Sequence, residues 1–325
     1  MRFYYLQGAL RLCGPTLLDT TASLNNSAEH MQTAFILQSV ALNTNLTNDC
    51  TIFDVYNICA SVSGTQNYIS GGVNNDTTSG TLTLAYRFND NFRVGGYLDK
   101  NLNTSNATGL HLNNGVPAFG AFAVWNANED GLGFQVRASA GYADKDMKVT
   151  RQVIGSSEPG TGKTSLDSFG AALVGSYAMA MNNNITLSPY AGIRYTKINA
   201  DAYTESGSDS VTTPLTYSAL TQKLITAMLG TKVSKPLGER FVAYGSLGLE
   251  QDLNHNDGTY VATGLGGLTP IAFNGNVNLT RATASVGTYY NISERQSVGA
   301  KLVWSEQAFT SINATSLMVT YTAGF

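Results

Sequence analysis

The sequence predicts an all-β membrane fold: an antiparallel outer-membrane β-barrel of about twelve strands, with an N-terminal α-helix in or near its pore. Three observations carry this. From about residue 58 to Phe325 the connectors between strand-like segments alternate in length. Short gaps fall at 89–91, 126–131, 182–184, 234–239 and 291–295. Long gaps rich in Gly, Ser, Thr and Asn fall near 70–80, 100–116, 144–165, 201–216 and 254–276, with a shorter one near 308–313. Short turns on one rim and long loops on the other mark a barrel that spans the outer membrane. The segments themselves alternate with period two. Finally, only 13% of the 325 residues are charged, while Gly (33), Tyr (17) and Phe (13) are plentiful.

The bulk numbers also exclude classes. A net charge of −3 gives no electrostatic footprint for nucleic acid. No run of about twenty apolar residues exists, so the sequence suits a helical membrane protein badly. Mean hydropathy near zero suits strands that meet lipid on one face and water on the other.

The chain opens Met-Arg-Phe-Tyr-Tyr-Leu-Gln-Gly, with Arg11 soon after. This is too polar for an ordinary signal peptide. Residues 1–15 are therefore expected to be a leader remnant without structure, and the chain to be either part of a longer protein or one whose start is not native. Residues 16–49 are expected to form a pore or linker helix. Leu17, Leu24, Ala28, Met31, Phe35 and Val40 recur at near-helical spacing, and Asn43, Asn45 and Asn48 mark the exit.

Residues 50–325 are expected to form the barrel. Phe134, Val136, Ala138, Ala140 and Tyr142 share one face; Gln135, Arg137, Ser139 and Gly141 share the other. Phe169, Leu173, Tyr177 and Met181 oppose Ser168, Gly170, Ala172 and Ser176. Leu187, Ala191, Ile193 and Tyr195 oppose Ser188, Gly192, Arg194 and Thr196. A one-residue slip would exchange the faces, so register is fixed. The apolar faces must meet lipid, because the reverse would place Arg137 and Arg194 in hydrocarbon at about 2–4 kcal/mol each near the midplane. Parity then puts Arg87, Arg93, Asp99, Arg137, Arg194, Lys232, Glu250, Asp252, Arg281 and Lys301 in the lumen. They could line a watery bore, brace the wall as cross-strand ion pairs, or do both.

Cys50 and Cys59 flank a short segment ahead of the first strand. A straight strand would hold them roughly 30 Å apart, so a disulfide requires a bend between them. Cys13 would be left unpaired. The last strand carries Leu317, Val319, Tyr321 and Phe325 on one face and ends in an aromatic residue, as outer-membrane assembly signals do.

These features resemble the translocator (β) domain of autotransporters, the type V secretion proteins. The resemblance rests on 187–205, with Pro189, Gly192, Tyr195 and the closing Tyr203-Thr-Glu205. Phe92-Arg-Val-Gly-Gly-Tyr-Leu98, Ala227-Met-Leu-Gly-Thr-Lys-Val233, the terminal strand and the strand count support it. It covers most of 50–325. It implies a helix threading the barrel ahead of the first strand, a place in the bacterial outer membrane with loops at the cell surface, and contact with outer-membrane lipid. The function it implies is export or surface anchoring of an N-terminal passenger, with the barrel-assembly machinery and the chain's own passenger as partners. No cofactor is expected. Some members cut their passenger at an Asn in the pore helix, which makes Asn25 and Asn26 candidates.

Other chemistry finds little purchase. Glu158-Pro-Gly-Thr-Gly-Lys-Thr164 lacks the first Gly of a phosphate-binding loop, where Ser157 stands. His30, His111 and His255 lie far apart, and His255 with Asp252 and Asp257 is expected in a solvated loop. No catalytic set converges, so no enzyme is expected. The alternatives are a passive pore, which requires an open lumen, and an adhesin acting through its long loops.

Overall fold

The computed structural model describes residues 14–71, 75–105, 108–113 and 115–325. The expectations for residues 1–13, Cys13 included, lie outside the described residues. One helix, α1 (Leu17–Asn45), precedes the long strands. These are β1 (Ile58–Ser70), β2 (Asn75–Asn89), β3 (Phe92–Ser105), β4 (Ala118–Asn126), β5 (Gly133–Thr150) and β6 (Thr161–Met181). They continue as β7 (Ile185–Ala200), β8 (Leu220–Leu237), β9 (Phe241–Asp257), β10 (Thr280–Ser293), β11 (Gln296–Glu306) and β12 (Asn313–Gly324). Each pairs antiparallel with its neighbours in the chain, and β1 pairs with β12 from Cys59↔Gly324 to Ser70↔Asn313. The sheet is therefore a closed barrel without free edges.

Side-chain direction follows the alternation. Phe134, Leu173 and Ile193 are 45%, 52% and 45% exposed on the outer wall. Their neighbours Arg137 and Arg194 turn inward to ion partners. Aromatic rings form two bands. Tyr86, Phe88 and Phe92 cluster near the short-turn rim, as do Trp125 with Phe134 and Phe241 with Tyr290. Phe119 with Tyr142 and Phe169 with Tyr195 lie toward the long-loop rim. Eight residues separate Phe134 from Tyr142. That is about 26 Å along the strand, or about 20 Å after a 40° tilt, close to the height of a lipid-facing band.

The short turns use residues that tolerate the left-handed region. Between β6 and β7 the turn Asn182–Asn184 holds Asn183 at φ 61° and Asn184 at φ 55°. Asn adopts this backbone more cheaply than most residues, which accounts for the Asn run there.

On the long-loop side the strands reach further than the sequence suggested. The gap expected at 144–165 shrinks to 151–160, and β9 runs on to Asp257. Above the lipid the alternation of β5 changes face, burying Met147 and Val149 and leaving Lys148 exposed, while backbone pairing continues. Short strands add to this outer region: Leu110–Asn113 pairs with β5, Thr216–Tyr217 lies between Tyr203–Thr204 and Ala262–Thr263, and Thr259–Tyr260 pairs with Ile271–Ala272.

Candidate functional site: the occupied bore

The helix α1 runs inside the barrel. Apolar and polar residues are buried all round it: Leu24, Met31, Phe35 and Val40, but also Thr20, Ser23, Ser27, Thr33 and Gln38. A helix on a protein surface would separate these classes; one threaded through a mixed lumen does not. Space for it comes from small wall residues. A Cβ on Gly170 would lie 3.0 Å from the Leu42 side chain and 3.1 Å from Leu46. Deep in the bore, Gln38 Nε2 donates to Ser168 Oγ at 2.7 Å.

The helix starts at the long-loop rim. Thr16 caps it, its hydroxyl accepting from the Asp19 N–H at 3.2 Å. The Asp19 carboxylate accepts from the Ser156 N–H at 2.8 Å and from its hydroxyl at 2.7 Å. These bonds, the backbone N–H first, hold the Asp19 carboxyl below its ordinary pKa. Gly155, at φ +57°, permits the turn that brings Ser156 there, and a Cβ would strike the Asp19 carboxylate at 2.5 Å.

An apolar cap seals this outer end. Phe35 of the helix meets Phe273 edge-on at 4.9 Å, and Phe273 meets Phe309 at 5.9 Å. Met31, Leu110, Met147, Leu215 and Tyr260 belong to the same cluster. Within the cap lies a buried ion pair that the sequence did not single out. Arg151 Nε and Nη2 donate to the two Glu205 oxygens at 2.8 and 3.0 Å, with both side chains 2% exposed. Glu205 also accepts from the Leu215 N–H at 2.9 Å and the Tyr217 hydroxyl at 2.8 Å. Tyr203 stacks on Tyr217 at 4.5 Å. Burial first, then the neighbouring Tyr260 and Glu205, raises the Tyr217 pKa. The Tyr203-Thr-Glu205 signature was visible as a family trait; its partner Arg151 sits in a predicted loop with nothing to mark it.

The lumenal charges separate by depth. At mid-bore, Arg194 donates to Glu250 at 3.0 and 2.6 Å. Arg281 binds Asp252 through two bonds of 2.6 Å and approaches Glu250 at 3.7 Å. Asp99 accepts from the Thr81 hydroxyl at 2.7 Å. His255 corrects the sequence reading: it is no solvated loop residue. It lies on β9 with a side chain 6% exposed, bonded to Asp252 at 2.9 Å and Asp257 at 2.5 Å. The strand reaches further than its apolar pattern, which carries all three residues into the wall.

Near the short-turn rim, Arg93 pairs with Asp49 at 2.7 Å and Arg137 with the same carboxylate at 3.4 Å. Arg137 also donates to the Asn48 carbonyl just past the helix end. Asp49 was missed because the linker that carries it has no periodicity. Lys232 lies over the Tyr190 ring at 5.6 Å, and Lys301 borders two cavities. Arg87 sits at the rim itself, donating to Asn57 Oδ1 at 3.1 and 2.9 Å. Cys50 and Cys59 are joined as a disulfide, Cα–Cα 5.8 Å, which bends the linker back toward β1.

Leu317, Val319, Tyr321 and Phe325 are 48%, 50%, 42% and 52% exposed on the outer wall of β12 and its end. The Phe325 N–H donates to the Ile58 carbonyl at 2.8 Å, within the closing seam. Asn25 is exposed and Asn26 half-buried on the outer part of α1; Asn26 Oδ1 has no hydrogen-bond partner among the described residues. The 158–164 stretch leads into strand rather than helix, and Glu158 accepts from Thr212 Oγ1 at 2.5 Å and the Thr213 N–H at 2.8 Å.

Comparison with known proteins agrees with this architecture. The autotransporter β-domain family model matches residues 60–302. The translocator domain of the autotransporter NalP from Neisseria meningitidis superposes with a TM-score of 0.64 at 20% identity, covering 94% of this chain and 98% of that one. The β domain of the Bordetella autotransporter BrkA gives 0.57 at 13% identity, covering 84% and 100%. Outer membrane protein A of Rickettsia conorii is 30% identical over 202 residues, covering 54% of this chain but 9% of that protein. The Rickettsia rickettsii protein of the same name is 28% identical over 179 residues, covering 50% and 8%. The chain thus spans a small part of those relatives. The closed barrel, its lipid-facing belt and the family match converge: the chain belongs to the autotransporter β-domain family and is a translocator barrel of the bacterial outer membrane.

Proposed function

We propose that this barrel exports an N-terminal passenger and anchors it at the cell surface, with α1 as the tether left in the bore. One observation carries the reading: α1 begins at the long-loop rim, docked on Ser156, and ends at the short-turn rim beside Arg93 and Arg137. A passenger joined ahead of the helix would therefore stand outside the cell. In this reading the barrel is conduit and anchor, performs no catalysis and uses no nucleotide. The barrel-assembly machinery would insert it through the terminal strand that ends at Phe325. The occupied bore and its apolar cap speak against a passive open pore.

A reporter protein fused upstream of residue 14 tests this. Surface protease should shave the reporter from intact cells, and deletion of 16–49 should abolish its display while the barrel still assembles. A reporter that stays in the periplasm with the full helix present would refute the reading. Release by cleavage between Asn25 and Asn26 is not part of it, since no carboxylate bonds either side chain among the described residues; mass spectrometry should find that bond intact.

A further inference from the structure

The outer wall carries two cations side by side at the edge of the lipid belt. Lys197 on β7 and Lys223 on β8 are direct partners across the ladder. They share the outward parity of Tyr195 and Ile225, a partner pair two residues nearer the membrane centre. Two residues are about 6.6 Å of strand, or about 5 Å of height after a 40° tilt. The lysines therefore stand one step outside the aromatic band that Phe169 and Tyr195 mark on the cell-surface side. Lys223 is exposed and Lys197 half-buried. Like charges directly opposite in a sheet repel, yet neither lysine has an ion-pair partner among the described residues. The nearest outward carboxylates along the register, Asp167 and Asp201, lie higher, and both accept from Asn199 Nδ2 at 3.0 Å.

The surroundings are ordered by height. Toward the membrane centre lie Tyr195, Ile225 and the exposed Ile193 and Leu253. Asn256 faces Lys223 from β9. One row higher, Asn199 and Thr221 oppose each other, the Thr221 hydroxyl donating to Asn199 Oδ1 at 2.6 Å. An apolar floor, a doubly cationic step and a row of amide and hydroxyl groups thus succeed one another over about 10 Å of height. These layers match, in order, the acyl chains, phosphate and sugar hydroxyls of one class of molecule. The arrangement is local. On β5 and β6 the places two residues outside Tyr142 and Phe169 are held by Asp144 and Asp167, which face each other and repel phosphate.

We propose that Lys197 and Lys223 hold a phosphate of a phosphorylated glycolipid in the outer leaflet. Its acyl chains lie on Tyr195 and Ile225, and its sugar meets Asn199 and Asn256. The site continues the lipid-facing belt of the barrel to the headgroup level. Lysine suits this place, because its apolar stem follows the wall while the ammonium group reaches up to the headgroups. Two ammonium groups on one phosphate make charge-assisted hydrogen bonds and no longer repel each other unopposed.

The test uses the full chain folded in zwitterionic detergent, with diphosphorylated lipid A as probe and native mass spectrometry as readout. The wild type should bind it about tenfold more tightly than dephosphorylated lipid A. Lys197→Gln and Lys223→Gln should each lose most of that preference, and Lys223→Arg should keep it. Lys163→Gln should leave it unchanged, since Lys163 stands six residues past Phe169, about 15 Å above the band. Lys223→Glu separates binding from bracing of the wall. Its carboxylate faces Lys197, so the barrel should melt no earlier than the wild type while the preference disappears. Heat-dependent gel mobility checks that every variant is a folded barrel. Millimolar inorganic phosphate should not displace the lipid, because the acyl chains add to the hold; displacement would overturn the assignment to a lipid. Equal binding of the two lipids by the wild type, or an undiminished preference in the folded Lys197→Gln/Lys223→Gln double variant, overturns the site itself.

Discussion

Glu205→Gln should loosen the outer cap. Glu205 collects four hydrogen bonds: two from Arg151, one from the Leu215 N–H and one from the Tyr217 hydroxyl. The amide cannot accept at both terminal atoms, and Arg151, 2% exposed, keeps its charge without a partner. Breaking a buried pair in this way costs about 3–5 kcal/mol. If the cap opens as a unit, its open population rises by about 150- to 5,000-fold. Hydrogen exchange in the regime where opening is at equilibrium reads this directly. The amides of Glu205, bonded to the Leu215 carbonyl at 2.9 Å, and of Leu215 should lose that much protection, while β10 to β12 exchange as before. The double variant Arg151→Met/Glu205→Leu should recover part of the loss, because no charge is stranded. Full recovery is not expected, since the Leu215 N–H and the Tyr217 hydroxyl still lack an acceptor. Unchanged protection in Glu205→Gln would refute the claim that this pair holds the cap.

Three further outcomes follow from the same geometry. Replacing Cys50 and Cys59 by Ser should free the linker, a loss of about 2–3 kcal/mol in the chain-entropy model, seen as new protease cuts within 50–58 while the barrel keeps its gel mobility. Gly170→Leu should force Leu42 and Leu46 off the wall and displace the helix, so planar-bilayer recordings should show larger conductance than the wild type; identical conductance would count against the close contact. Leu247→Arg, at a side chain 68% exposed to lipid, should cost about 2–4 kcal/mol of folding stability in vesicles, whereas Ser246→Arg on the lumenal face should cost far less.

The barrel was legible because lipid and water impose opposite demands on alternate residues. Phe134 and Arg137 cannot exchange faces, and the five short gaps from 89–91 to 291–295 set the pace of the strands. Legibility ended where those demands end. Above the lipid, β5 turns Met147 and Val149 inward and Lys148 outward, and β9 carries Asp252, His255 and Asp257, so Lys148 and His255 read as loop although the backbone is paired. The helix was expected in or near the pore, but which of its residues meet the wall was not legible: Thr20, Gln38, Met31 and Phe35 are buried together only because a mixed lumen surrounds them. The ion pairs Arg151–Glu205 and Arg93–Asp49 join residues 54 and 44 positions apart, and no local pattern announces such contacts.

The central claim is that α1 lies within the barrel with its polar side chains against the lumenal wall. Gln38→Cys combined with Ser168→Cys tests it most directly, because these side chains touch at 2.7 Å and both positions are buried. In outer membranes from intact cells, a short bifunctional thiol reagent should bridge the two cysteines, giving a gel shift that neither single variant shows. Two free thiols in a correctly assembled barrel would contradict the account.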